Sequence, residues 1–132
     1  GDWSSDVCSS DLQYFSKMNY VEIAFYDAGI GIPSSVRGYD RRYAGFSDVE
    51  CIEWAMVAGN TTRSLAHVGG SGLHVLQKFL AINKGILQIA SGLGYYKQTG
   101  TTKETHTLQH HLQGTLVNIR VHRDSLLYSY KS

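Results

Sequence analysis

Cysteine and proline are scarce in this chain: among 132 residues, Cys8 and Cys51 are the only cysteines and Pro33 is the only proline. Two cysteines cannot build a disulfide scaffold, so a small cysteine-stapled secreted fold is excluded. Long apolar runs are also missing. Polar residues break every hydrophobic stretch within about ten positions, short of the roughly 20 that a membrane span needs. No basic flank followed by an apolar core opens the chain, so it does not read as a secretory signal. What is present is globular: 42% hydrophobic and 11% aromatic residues, with only 17% charged, neither disordered nor collagen-like. The length fits one domain.

Gly1 to Leu12 reads GDWSSDVCSSDL, with four serines, three aspartates and no periodicity. As protein it would be a frayed acidic tail. The string from Asp2 to Leu12 also resembles the conceptual translation of a sequencing adapter, which predicts a non-native, disordered segment to be set apart from fold reasoning. Setting it aside leaves eight acidic against twelve basic residues, a balance of +4 in place of +1. That mild excess suits an anionic ligand without defining a nucleic-acid stripe. Cys51 then stands alone, which suits a reducing compartment. An adapter joined to coding sequence also predicts that the natural N-terminus is absent.

The remainder divides by pattern. Tyr20-Val-Glu-Ile-Ala-Phe-Tyr26 reads as a strand, running into the turn Asp27-Ala-Gly-Ile-Gly-Ile-Pro33, where Pro33 can open a short helix. Ser47-Asp-Val-Glu50 is a capping box heading a helix to about Val57. Residues 58–70 carry breakers and read as a mobile loop. From Ser71 a second helix places Leu73, Leu76, Phe79 and Leu80 on one side, with Gly85 as its stop. Gly85 to Ser91 reads as a strand, residues 95–98 and 106–109 as a hairpin, and Thr115 to Val121 as the clearest strand. The order predicts an α/β fold, a two-layer sandwich with helices on one face of a mixed sheet. Residues 13–124 would form this domain and 125–132 a C-terminal tail.

Three glycine-bearing motifs stand in order: Asp27-Ala-Gly29-Ile-Gly31, Gly69-Gly70-Ser71-Gly72-Leu73, and Gly114-Thr115-Leu-Val. Each is weak alone, since a strand ending in D-x-G-x-G is more often a plain tight turn. Glycines ahead of a helix say more, because bare amides at a helix N-terminus bind phosphate.

Together and in this order they resemble the Bergerat ATP-binding fold shared by DNA gyrase B subunits, heat-shock chaperones, sensor histidine kinases and mismatch-repair ATPases. The resemblance spans about Val21 to Val121 and is nearest to the catalytic domain of histidine kinases and their stand-alone relatives. It implies that Asp27 accepts the exocyclic amine of adenine, a task suited to a carboxylate because it offers no competing donor. It implies that Gly29 and Gly31 let the backbone approach base and sugar, and that Thr115 supports the adenine contact through a water. Gly69, Gly70, Ser71, Gly72 and Leu73 would close over the triphosphate, residues 59–68 would be the lid, and Arg63 a phosphate contact. For Arg63 the bland alternative, a solvated loop charge, stays open.

Two departures matter. His74 stands where many members have another glycine. The family's earlier helix, with its Mg²⁺-holding Asn and, in hydrolytic branches, a water-activating Glu, finds no counterpart, because only residues 13–20 precede the first strand. The sequence therefore predicts a domain whose first helix is missing, which binds ATP but has no Mg²⁺ ligand of its own and little catalysis. Mg²⁺ would be expected in the intact parent.

Other signals weigh less. Val68 to Val75 matches the G-x-x-G pattern of RNA-binding KH domains, but no helix precedes it and Asp27 to Gly31 would go unexplained. His106, His110 and His111 lack a fourth metal ligand at a recognisable spacing. Cys51 reads as packing rather than nucleophile.

The expectation is an ATP-binding domain of a histidine kinase, which would pass the γ-phosphoryl group to a His on a separate helical domain and thence to a response regulator. A stand-alone ATPase driven through nucleotide-dependent closure or dimerisation is the alternative, with a homodimer left open for the parent. A non-catalytic nucleotide-binding module is the third reading. Nucleic acid and membrane are not expected as partners, and the setting would be cytoplasmic.

Overall fold

The computed structural model describes residues 8–15, 19–57, 60 and 72–122. Strands β1 (Cys8–Phe15) and β2 (Tyr20–Asp27) come first, then helices α1 (Ile32–Tyr39), α2 (Asp48–Ala55) and α3 (Gly72–Asn83). The long strands β3 (Ile86–Thr99) and β4 (Thr102–His122) close the chain. The sheet order is β1-β2-β4-β3, with every described ladder antiparallel. The layer arrangement is the expected two-layer α/β sandwich. The pairing is narrower than the mixed sheet the sequence suggested.

Local chemistry explains most helix ends. At α2 the Glu50 amide donates to Ser47 Oγ at 3.1 Å while the Ser47 amide donates to Glu50 Oε1 at 2.9 Å, so two N-terminal amides are satisfied reciprocally. Proline sits in the first turn of α1, where its missing N–H costs nothing. The end of α3 departs from expectation. The left-handed residue is Lys84 (φ 63°), and the Gly85 amide reaches back to the Leu80 carbonyl at 3.0 Å, a Schellman closure one residue earlier than predicted. Gly85 is needed for a different reason: a Cβ there would strike the Arg120 carbonyl oxygen as β3 turns in beside β4.

The core lies between the helices and one face of the sheet. Ile32 and Val36 of α1, Cys51 and Ile52 of α2 and Leu80 of α3 meet Leu87, Ile89, Val117 and Ile119 from β3 and β4. At about 25 cal/mol per Å² of apolar surface buried, such side chains supply the main driving force. The helices lie over β3 and β4. On the same sheet face Val21, Ile23 and Phe25 of β2 stay half-buried. Aromatic rings close the outer end of the α1–α2 contact, with Trp54 5.8 Å from Tyr39 and 5.1 Å from Tyr43.

Two further readings change. Residues 8–12, read as a frayed tail, lie in β1, and Cys8 to Phe15 pair with Asp27 to Tyr20. An edge ladder of this kind is built from backbone groups, which any residue but proline supplies. The strand over 85–91 and the separate hairpin are one continuous pair, β3 with β4, whose register shifts between Ser91 and Gly94. Gly92 (φ 60°) makes that bulge possible.

Candidate functional site

β2 delivers Asp27 to the end of the sheet, 7% exposed and on the helix-facing side. Its Oδ1 accepts the Gly29 amide at 2.8 Å, which folds the following turn back on the strand. Directly opposite Asp27 on β4 stands Thr115, and opposite Thr115 on β3 stands Ser91. Three polar side chains thus form one row across three strands. Thr115 is 1% exposed and Ser91 fully buried.

Ser91 joins three segments. Its Oγ accepts the Ile32 amide at 2.9 Å, donates to the Gly114 carbonyl at 2.6 Å and lies 2.9 Å from Thr115 Oγ1. The turn after Asp27 is thereby fastened to β3 and β4. A second brace comes from the rim, where Tyr26 donates to the Gln113 carbonyl at 2.6 Å and Gln113 Nε2 donates to the Gly29 carbonyl at 3.1 Å.

The glycines of this corner answer to the protein's own backbone. Gly31 has φ 88°, and a Cβ there would sit 3.0 Å from Ser91 Oγ and 3.2 Å from the Gly114 carbonyl oxygen. Gly114 has φ 87°, and a Cβ would run into the Asp27 carbonyl oxygen and stand 3.1 Å from Ala28 Cα. These two positions require glycine with no ligand present. A Cβ on Gly29 would stand 3.1 Å from the Asp27 carboxylate, a tight contact.

Of the residues expected around the triphosphate, Arg63, Gly69, Gly70 and Ser71 lie outside the described residues, as does the lid at 59–68 apart from Asn60. Gly72 opens α3 with nothing within 4 Å of a built Cβ. Leu73 is 3% exposed with its side chain in the core, which leaves only its backbone to serve a ligand. His74, on the first turn of α3, has Nδ1 3.3 Å from the Met56 carbonyl.

A second polar centre lies beside the β3 bulge. Asp48 Oδ2 accepts the Leu93 amide at 2.7 Å, and Oδ1 pairs with Arg37 at 2.7 Å. Burial opposes ionisation of Asp48, but the Leu93 amide and Arg37 outweigh it and hold the carboxyl below its ordinary value. Neither Asp48 nor Ser91 stands out in the sequence as a site residue. A serine closing a strand and an aspartate inside a capping box are both explained locally, and only the pairing of distant segments reveals more.

Among the described residues, open grooves also lie away from this corner. One of about 360 Å³ is on the sheet face opposite the described helices, between Glu22, Gln88, Asn118 and Tyr95. Another, of about 500 Å³, lies between α2, α3 and the β3–β4 hairpin beside His74, Gln77 and Lys103. His106 rests against Tyr95 with ring centroids 5.9 Å apart and pairs with exposed Glu104 at 3.3 Å. Among the described residues no three His, Cys, Asp or Glu side chains converge as metal ligands. Among them, too, no helix is long and apolar enough to cross a membrane. Cys51 is buried, and that burial pushes its thiol pKa up, the wrong direction for a nucleophile.

No family model matches the chain, and no curated protein matches it. A similar solved structure is the topoisomerase IV ATP-binding domain of Francisella tularensis in complex with a small-molecule inhibitor, at 17% identity and a TM-score of 0.41. The match covers 85% of this chain and 29% of that one.

Proposed function

We propose that this chain binds ATP and that the row of Asp27, Thr115 and Ser91 is the floor of its adenine pocket. The observation that carries this reading is a nearly buried carboxylate at a strand end, set opposite a buried threonine and beside a turn that a serine holds in place. Asp27 has one oxygen engaged by its own turn, and among the described residues the other has no donor. A carboxylate so placed suits an amino group presented edge-on, as the exocyclic amine of adenine would be.

The residues present fit the base end of the nucleotide. Gly29 and Gly31 would flank base and sugar, while Arg63 and the Gly69 to Leu73 segment would take the phosphates at the entry to α3. Bound Mg²⁺ would neutralise phosphate charge. The bound ATP would serve phosphoryl transfer to a histidine of a helical domain, followed by a response regulator, or nucleotide-driven closure or dimerisation of a stand-alone ATPase. An ATP-binding role with one buried, unpaired Cys51 suits a cytoplasmic setting.

The test is calorimetric titration of the chain with ATP and GTP, with and without Mg²⁺, beside Asp27→Asn. ATP-selective binding that the substitution removes is the expected result. A folded protein that binds neither nucleotide, or binds both equally in wild type and variant, overturns the assignment.

A further inference from the structure

The hydroxyl protons of the Asp27–Thr115–Ser91 row can be counted. A serine hydroxyl carries one proton and two lone pairs. Ser91 Oγ has three neighbours: the Ile32 amide at 2.9 Å, the Gly114 carbonyl oxygen at 2.6 Å and Thr115 Oγ1 at 2.9 Å. The amide brings its own hydrogen. The carbonyl oxygen brings none, so the single Ser91 proton belongs to Gly114. The remaining contact is a hydrogen bond only when Thr115 supplies the proton. A threonine that has given its proton to Ser91 can do nothing but accept from any other group.

We infer that Ser91 determines base specificity by fixing this polarity. With its proton committed, Thr115 joins Asp27 as the second acceptor of a two-acceptor edge. Such an edge takes an amino group and opposes a carbonyl oxygen at the same place on the ring. This rests on the nucleotide reading above and extends it to discrimination between 6-amino and 6-oxo purines. Thr115 is 1% exposed, so its contact can run through one water. The polarity survives that relay: a water that donates to Thr115 and to Asp27 has spent both protons and offers only lone pairs to the ligand. Ser91 is a positioning residue, buried behind Thr115 and acting through it. Its bond to the Ile32 amide also seats the turn that follows Asp27, so both halves of the edge depend on one hydroxyl.

The experiment measures affinities of ATP, ITP and the triphosphate of unsubstituted purine riboside for the full chain and for Ser91→Ala and Ser91→Thr. In the wild type ATP should bind tighter than ITP, because Asp27 and Thr115 accept from the 6-amino group, whereas the 6-oxo group sets lone pairs against them and leaves only N1–H as a donor; the bare purine, with neither, reports binding by the rest of the nucleotide. In Ser91→Ala the Thr115 proton is released and can turn toward an oxo group, so ITP should gain on ATP by about tenfold. A purely structural loss would weaken all three ligands together. Ser91→Thr keeps the hydroxyl and should keep the wild-type ratio. A folded Ser91→Ala protein with an unchanged ratio overturns the inference while leaving the adenine pocket standing. Should that variant not fold, the unsubstituted chain decides, since ITP binding as tightly as ATP also overturns it. If the wild type binds none of the three, the nucleotide reading fails and this one with it.

Discussion

Asp48, in the first turn of α2, accepts the amide of Leu93 at 2.7 Å and so closes the bulge of β3 from a position 45 residues away. Its other oxygen holds Arg37 of α1, so one carboxylate ties two helices to the sheet. Its folded pKa lies below the ordinary value. The resulting stability is complete above the unfolded carboxylate pKa, about 3.9, and is lost as pH falls through the lower folded value. Asp48→Asn should cost about 1–2 kcal/mol at neutral pH. The gap between wild type and variant should stay constant from about pH 7 to 5 and close below about pH 4. Thermal melts across that range would show it, and a gap that widens in acid would contradict the account.

Gly114 offers a steric test of the site corner. With φ 87° and the Asp27 carbonyl in the way of any Cβ, Gly114→Ala should lose on the order of 3 kcal/mol. Gly72→Ala is the control, because nothing lies within 4 Å of its built Cβ. Chemical denaturation should find the control within about 1 kcal/mol of wild type. Equal losses in both would mean that the corner is looser than its geometry states.

Lys84 holds a left-handed conformation (φ 63°) that is costly for a residue with a Cβ. Lys84→Gly should therefore stabilise the chain by about 0.5–1 kcal/mol. Urea midpoints of the two proteins would decide, with a lower midpoint for the glycine variant counting against the Schellman assignment.

Cys51 should resist alkylation. Burial raises its thiol pKa and removes it from solvent, with Arg37 only partly offsetting the shift. Iodoacetamide labelling read by mass spectrometry should leave Cys51 unmodified in the native chain at pH 8 and modify it in denaturant. Rapid native labelling at Cys51 would mean that the α2 contact opens freely.

The legible parts of the fold are those whose cause is local. The capping box of Ser47 and Glu50, the proline in the first turn of α1, and the alternation of Thr115 to Val121 each act within a few residues, and each lies where the pattern put it. β1 was not legible, since an edge ladder asks for backbone groups and leaves no periodicity in Cys8 to Phe15. The continuity of β3 through Gly92 was hidden for a related reason. The strand pattern over 85–91 stops short of these glycines, whereas pairing with β4 and the hydrogen bond from Leu93 to Asp48 carry the strand across. The α3 stop was misplaced by one residue because Gly85 has a second employment, its close approach to the Arg120 carbonyl.

The sequence by itself determined which chemical groups the corner contains and how its helices start, because those follow from residue type and short spacing. It placed Asp27, Gly31, Gly114 and Thr115 in motifs without saying what they touch. Tertiary structure decided that Asp27, Thr115 and Ser91 share one row, that Gly31 and Gly114 are glycines for the sake of neighbouring backbone, and that the Thr115 hydroxyl meets that of Ser91. The physical reason is strand register. Which residues of the row stand opposite one another is fixed only when segments 24 and 88 residues apart pair in the sheet.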